Sequence, residues 1–319
     1  MKPECLWKRI EEYADDLNVC KLSVLFDLLM SRIFCGFTSD DYFVNTGGYT
    51  YRLFQKRKVF SYKRRVEITH NLDSIKDIHL IEDKSCFLKH FTPLIKRGWC
   101  YPKEVSFEDF KRFVQSHDKI LCKPVEGKMG SGVNLYSRSN DLFKDYEKFV
   151  TNNILLEELI EQEERMVFDN LSVNTVRIYT ILDKGGKPHV LKAVLRAGVG
   201  STLTDNYHTG GVIYPVNIDA GFIESYGYRR GLKECVYVHP ETNKMMLGFT
   251  VPYWDEILST VRQAATMIPD IRYVGWDIAV TKRGIDIVEG NADADHALFE
   301  RVGNSKFFWP IIKKYAYGK

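Results

Sequence analysis

Paired cysteines, an excess of charge of either sign and long apolar runs are all scarce in this 319-residue sequence. The seven cysteines (Cys5, Cys20, Cys35, Cys86, Cys100, Cys122 and Cys235) are odd in number and form no C-x-x-C, which argues against a disulfide framework and a zinc site. A reducing compartment fits this usage, and a cytoplasmic location is predicted. The net charge of +3 gives no reason to expect a nucleic-acid partner. The most apolar early run, residues 22–30, is broken by Asp27 and is too short to span a bilayer. The first residues lack the apolar stretch of a secretory leader. Neither an internal repeat nor a low-complexity linker is visible. The 45% hydrophobic content is enough for the core of one or two domains.

The stretch that organises the chain is VGWDIAVTKRGIDIVEGN, residues 274–291. Two β-branched runs flank Lys282-Arg283-Gly284, the pattern of a hairpin with glycine in the turn. The simplest register pairs Thr281 with Ile285, which sets Asp277 opposite Glu289 and puts Asn291 on the same face as Glu289. Like charges opposite one another are unfavourable. The pair is tolerable with a cation between the carboxylates, and two carboxylates plus an amide oxygen suit Mg²⁺ shared with phosphate oxygens. Alternatively, one carboxylate points to solvent and the turn is ordinary.

Before the hairpin, residues 1–36 read as helical. Leu6, Ile10 and Tyr13, then Leu22, Phe26 and Leu29, recur at helix spacing as packing surface. The segment YRLFQKRKVFSYKRR, residues 51–65, is either an anion-binding face or a solvated helix face with basic stems over aromatics; the second reading is preferred. An anionic membrane surface would suit it too, so peripheral membrane contact stays open. Ser106 and Asp109 have the spacing of a helix start. KILCKP, residues 119–124, reads as a buried strand followed by a glycine loop, Gly127-Lys128-Met129-Gly130-Ser131-Gly132, and a second strand over 133–136. Strand–loop–strand differs from a P-loop, where a helix follows, but such a loop can lay backbone N–H groups over phosphates, with Lys123 placed against a phosphate oxygen. The alternative is a plain hairpin with a glycine-rich turn. NILLEELI, residues 153–160, is an apolar run leading into acids, either a nucleotide-facing hinge or a solvated acidic turn. Residues 172–182, with Arg177, and 188–196, with Lys192 and Arg196 on one face, read as paired strands. His208, in the loop at 205–211, is read as a loop residue. Residues 254–268 form a strong helix, and the aromatic, basic tail 307–317 docks as a last one.

Taken in order, Asp83-Lys84, Lys123-Pro124 with its glycine loop, Glu157-Glu158, the Arg-bearing strands and Asp277…Glu289-x-Asn291 resemble the ATP-grasp superfamily. SVNTVRIYT, DNYHTGGV and WDIAV…VEGN look closest to its sugar-transfer-associated family. The resemblance covers about residues 80–300. It implies an α+β fold of two subdomains clamping ATP between antiparallel sheets, with a helical N-terminal region: 1–78 N-terminal, 79–156 the first subdomain or lid, 157–319 the second with the metal site. It also implies roles. Lys84 and Lys123 bind ATP phosphates, and Gly127, Lys128, Gly130, Ser131 and Gly132 close over them. Glu157, Glu158 and the backbone near Leu159 meet the adenine, and Glu161 or Glu164 holds the ribose. Asp277, Glu289 and Asn291 hold two Mg²⁺. Arg196, with Arg177, faces the transferred phosphate, and Lys123 assists. Where many relatives follow the asparagine with Pro-Gly, this chain has Ala292-Asp293-Ala294-Asp295-His296, on the acceptor side.

The implied activity is an ATP-dependent carboxylate–amine (or thiol) ligase working through an acyl-phosphate, with a small-molecule or glycan carboxylate, in polysaccharide assembly. Its competitors are an ATP-grasp kinase and a nucleotide-binding protein without turnover. Nothing in the sequence speaks to oligomeric state.

Overall fold

The computed structural model describes residues 3–45, 48–126, 132–168, 172–200, 210–229, 235–301 and 307–318. The N-terminal region is helical, as its periodicity predicts: α1 (Pro3–Leu17), α2 (Lys21–Cys35), α3 (Leu53–Lys56) and α4 (Tyr62–Leu72). In α2 the buried positions are Val24, Leu28, Ser31 and Cys35, while Leu22, Phe26 and Leu29 are exposed. That corrects the predicted packing face. A helix apolar on most sides does not reveal by periodicity which side turns inward. A buried cation decides it here. Lys56 is fully buried, and its ammonium is bonded to Asp27 and to Ser31 Oγ (3.0 Å), so the side of α2 carrying these partners faces in. Lys56 also overturns part of the preferred reading of residues 51–65. It and Arg65, which is bonded to Asp293, are buried ion-pair members rather than solvated stems.

Next come α5 (His79–Glu82), α6 (Lys84–His90), β1 (Trp99–Cys100) and α7 (Phe107–Ser116). Ser106 Oγ accepts from Asp109 N (3.2 Å), as the sequence predicts. After them lie β2 (Ile120–Pro124), β3 (Asn134–Leu135), α8 (Leu142–Thr151) and β4 (Ile154–Glu158). These strands form a four-stranded sheet, β1-β4-β2-β3, whose core joins Ile120 and Leu156 to Phe110 and Val114 of α7 and Phe149 of α8.

The second sheet takes β5 (Thr175–Leu182), β6 (Pro188–Ala197), β7 (Val212–Val216), β8 (Tyr228–Arg229), β9 (Tyr273–Thr281) and β10 (Gly284–Asn291), in the order β10-β9-β5-β6-β7-β8. The pairings are antiparallel. One face is apolar: Val176, Ile178, Ala193, Leu195, Val274, Trp276 and Ile278 share a core with Ile257, Val261 and Ala264 of α9 (Trp254–Met267). The other face divides along its length. Toward one end Tyr179 and Tyr273 pack with Phe60, with Ile68 of α4 and with α11 (Trp309–Tyr317), which follows α10 (Ala297–Arg301). Toward the other end the same face is charged.

Candidate active site

The charged half is set by strand register. Across β5 and β9, Arg177 lies directly opposite Asp277; across β9 and β10, Asp277 lies opposite Glu289 and Gly275 opposite Asn291. The predicted pair is therefore present, by a different route. The turn is one residue tighter than expected, with Thr281 opposite Gly284, and a bulge between Ile287 and Glu289 restores the offset. Without the bulge, an unbroken register would put Val288 opposite Asp277 and turn Glu289 to the apolar face.

Asp277 is buried. Its carboxylate accepts from Arg177 Nε and Nη2 (2.7 Å for the latter) and from Arg196 Nη1 (2.9 Å). Burial alone would raise its pKa, but the two guanidiniums hold it well below the usual carboxylate range. Glu289 moves the other way: its place in the cleft, and then the adjacent Asp277 carboxylate, push it up. Its side chain is about half exposed, at 47%, with Asn291 Nδ2 at 3.4 Å from its Oε1. Among the described residues no three His, Cys, Asp or Glu side chains gather as a metal site. The donor set is two carboxylates and an amide.

One lysine approaches from the smaller sheet, the other from a helix packed on the larger one. Lys123, on β2, is bonded at 2.8 Å to Glu157 of β4. Lys84 opens α6 behind Asp83, which caps the helix by accepting from Cys86 N (2.9 Å). Lys84 Nζ donates to Val125 O (3.1 Å) and feels Glu289, Lys123 and Glu157; burial lowers its pKa. One lysine thus stands between the acids of both sheets.

Other predicted residues are placed as follows. Glu157 is buried between Lys123 and Arg97, which hold its pKa at about 2 against the cost of burial. The Glu158 carboxylate accepts from Gly98 N (2.8 Å) and Arg283 (2.6 Å), and Leu159 N donates to Lys119 O (3.0 Å). Glu161 lies 3.3 Å from Lys282 Nζ, and Glu164 is exposed at the start of a short turn whose Met166 is buried. Gly132 has φ +77°, and a Cβ there would lie 2.8 Å from Pro124, so glycine is required beside Lys123. Gly127, Lys128, Gly130, Ser131 and His208 lie outside the described residues.

Sequence reasoning missed Arg97 and Asp286. Arg97 is buried and donates to Glu157 (2.6 Å), to Asp286 (2.5 Å), and to the carbonyls of Ile287 and Val288 (3.0 Å each) at the bulge. No motif surrounds it. The one available signal was a lone arginine before Gly98-Trp99, too common to single out.

Two antiparallel sheets facing each other across lysines, carboxylates and arginines define an ATP-grasp fold. The sequence matches the family described as sugar-transfer associated ATP-grasp over residues 63–310, and the chain belongs to that family. Among curated proteins no match was found. Solved structures with a similar fold include ATP-grasp ligase PsnB complexed with minimal precursor, Mg and ADP (18% identity, 76% of this chain and 60% of that one, TM-score 0.45). They also include an ADP complex of N5-carboxyaminoimidazole ribonucleotide synthetase (10%, 74% and 52%, TM-score 0.47). A third is the biotin carboxylase domain of the Hydrogenobacter thermophilus 2-oxoglutarate carboxylase (16%, 76% and 47%, TM-score 0.47). The chain thus spans about 60% of the length of PsnB.

Proposed function

We propose that the protein is an ATP-dependent ligase that joins a carboxylate to an amine or thiol through an acyl-phosphate, in the assembly of a sugar-containing polymer. The observation that carries this reading is the convergence of Lys84 and Lys123 with Glu157 and Glu289 between the two sheets, beside Arg177 and Arg196 on Asp277.

The residues fit Mg²⁺. The Glu289 carboxylate is about half exposed beside Asp277, with the Asn291 amide next to it (Nδ2 3.4 Å from Glu289 Oε1), and the raised pKa of Glu289 marks a place where added positive charge is favourable. Mg²⁺ bound there would neutralise charge on the phosphates of ATP. The chain's own residues do the rest. Lys84 and Lys123 hold the phosphates. The guanidiniums of Arg177 and Arg196, fixed in direction by Asp277, face the phosphoryl group as it passes from ATP to the substrate carboxylate. The acceptor, as free amine or thiolate, then forms its bond to the acyl carbon, the C–O bond to phosphate breaks, and phosphate leaves, the nitrogen of an amine giving up its proton to the departing phosphate. This is placement and electrostatics, for which no nucleophilic side chain is needed. The family description supports the sugar-polymer setting.

Hydroxylamine trapping across a panel of uronic acids tests the reading. Hydroxamate and ADP should appear with at least one acid, and Glu289→Ala should abolish both while circular dichroism stays unchanged. Phosphorylated product without free phosphate would make the protein a kinase, and full activity in Glu289→Ala would remove the metal assignment.

A further inference from the structure

The aromatic, basic stretch at residues 51–65 takes no part in the site described above, and neither does the outer side of α2 beside it. On α2 the buried positions Val24, Leu28, Ser31 and Cys35 form one face. Leu22, Phe26, Leu29 and Ile33 recur at spacings of four, three and four. At about 100° per residue that puts them in one narrow stripe on the opposite side, about 16 Å long. Their exposures are 66%, 65%, 46% and 71%. Phe34, also exposed, adjoins the end of the stripe.

A surface helix sets polar side chains opposite its buried face, and a helix apolar on both sides is normally covered on both. An exposed apolar surface of this kind marks a contact with protein or membrane. What lies beside the stripe selects the occupant. Residues 51–65 carry seven basic side chains and no acid. Lys56 and Arg65 are buried in ion pairs, and Arg64 lies over the Trp309 ring at 5.1 Å. Arg52, Arg57, Lys58 and Lys63 are exposed, as are Phe54 and Tyr62.

This segment is laid against the C-terminal end of α2. Ser61 Oγ donates to Cys35 O (3.4 Å), Arg57 and Arg64 act on the Cys35 thiol, and a Cβ on Gly36 would lie 2.5 Å from Lys63 Cδ. Arg32, in the last turn of α2, is exposed as well. Ile33 and Phe34 therefore stand among Arg32, Arg57 and Lys63. The neighbouring acids are largely engaged. Asp27 is bonded to Lys56, Asp40 lies 2.9 Å from Arg9, and Asp41 is buried with His296. Glu11 and Glu12 lie 3.2 Å and 3.9 Å from Lys21 and Lys8. Asp15 and Asp16 belong to the far end, where α1 turns into α2. Glu67, one turn beyond Lys63 on α4, is an exposed exception.

An apolar stripe with a basic, aromatic rim is complementary to an anionic lipid surface. Its apolar side chains reach the acyl boundary while its cations meet phosphate groups. A second copy docked by two-fold symmetry would instead bring Arg32, Arg57 and Lys63 of both chains towards one another. No described helix is long and apolar enough to cross a membrane, so such contact is with the surface alone.

We propose that the outer side of α2, together with the exposed cations of residues 51–65, is a docking surface for an anionic lipid bilayer. Leu22, Phe26, Leu29 and Ile33 enter the boundary between headgroups and acyl chains, and Arg32, Arg57 and Lys63 contact lipid phosphates. The surface lies outside the cleft between the two sheets, so it is independent of the ligase reading.

Flotation of the full chain with vesicles of equal parts phosphatidylcholine and phosphatidylglycerol tests it, against vesicles of phosphatidylcholine alone. The protein should float with the first and stay behind with the second. Each basic residue near an anionic surface contributes about a fivefold gain in binding, so Arg57→Gln/Lys63→Gln should weaken it about 25-fold. Phe26→Ser/Ile33→Ser should abolish flotation and leave the melting midpoint at that of wild type, since both side chains are exposed. The proposal is overturned if the wild type floats with neither vesicle or equally with both. It is also overturned if Phe26→Ser/Ile33→Ser still floats, or if Arg57→Gln/Lys63→Gln floats as wild type does. A wild type that sediments as a dimer without floating, and a Phe26→Ser/Ile33→Ser variant that sediments as a monomer, would give the stripe to a second copy and overturn it too. Hydroxamate formation without lipid should be the same in wild type and both variants, so the ligase reading stands or falls separately.

Discussion

Arg97 shows what a single buried side chain can decide. Its guanidinium joins Glu157 of the small sheet to Asp286 and the bulge carbonyls of the large one. Removing one partner of a buried ion pair leaves the others as uncompensated charges and costs about 3–5 kcal/mol. Arg97→Met should therefore lose about that much in urea unfolding, and Asp286→Asn less, because Asn keeps the acceptor for Arg97 N (2.9 Å). Equal stability of Arg97→Met and wild type would refute the bridging role. Asp73 gives a pH signature. Burial raises its pKa from the ordinary 3.8 to about 7. The native state thus binds a proton that the unfolded chain releases between about pH 4 and pH 7. Its contribution is fully present below the unfolded value and is lost as pH rises through the folded one. Asp73→Asn keeps the oxygen that accepts from Arg272 N (2.8 Å) and Tyr273 N (3.1 Å). It should be more stable than wild type by about 2–4 kcal/mol at pH 8 and should match it near pH 4, read from denaturation midpoints at the two values.

At the level of elements, the β9–β10 hairpin was legible because its alternation and its glycine turn are local properties. Its bulge was not, since nothing about Val288 distinguishes it from an ordinary strand residue. The expected Asp277–Glu289 pair is present because two one-residue offsets cancel, one at the turn and one at the bulge. The face of α2 was illegible for a related reason. Lys56, from another helix, decided it through a partner 29 residues away in sequence. Long-range ion pairs leave no periodic trace, and Arg97 escaped notice in the same way. The segment after Asn291 depends on a close approach instead. Ala294 lies against Gly275, where an added Cβ would also meet Arg177 Nη1 at 3.3 Å. Gly275→Ala should force residues 292–296 off the sheet at a cost of about 1–3 kcal/mol from overpacking. It should impair amine-dependent ADP release more than hydroxylamine-dependent release. An equal loss in both would place the damage at the phosphate site and not in residues 292–296.

Across the whole molecule, Lys123 and the carboxylate–amide set belong to different sheets, with Lys84 on a helix packed against the larger one, so nucleotide and metal should act as a clamp between them. A ligand that binds the folded state alone stabilises it by about 2.7 kcal/mol at a hundred times its Kd. ATP without Mg²⁺ should raise the melting temperature through Lys84 and Lys123, and Mg²⁺ should add a further increment through Glu289 and Asn291. Glu289→Ala should keep the first increment and lose the second, whereas Lys84→Met should lose most of both, because Lys84 feels Glu289 on one side and Glu157 and Lys123 on the other. Calorimetric melting with and without Mg²⁺ separates the cases. If Glu289→Ala keeps the Mg²⁺ increment, the ion is held elsewhere. If Lys84→Met keeps both, the nucleotide sits on one sheet alone and the two do not close on it together.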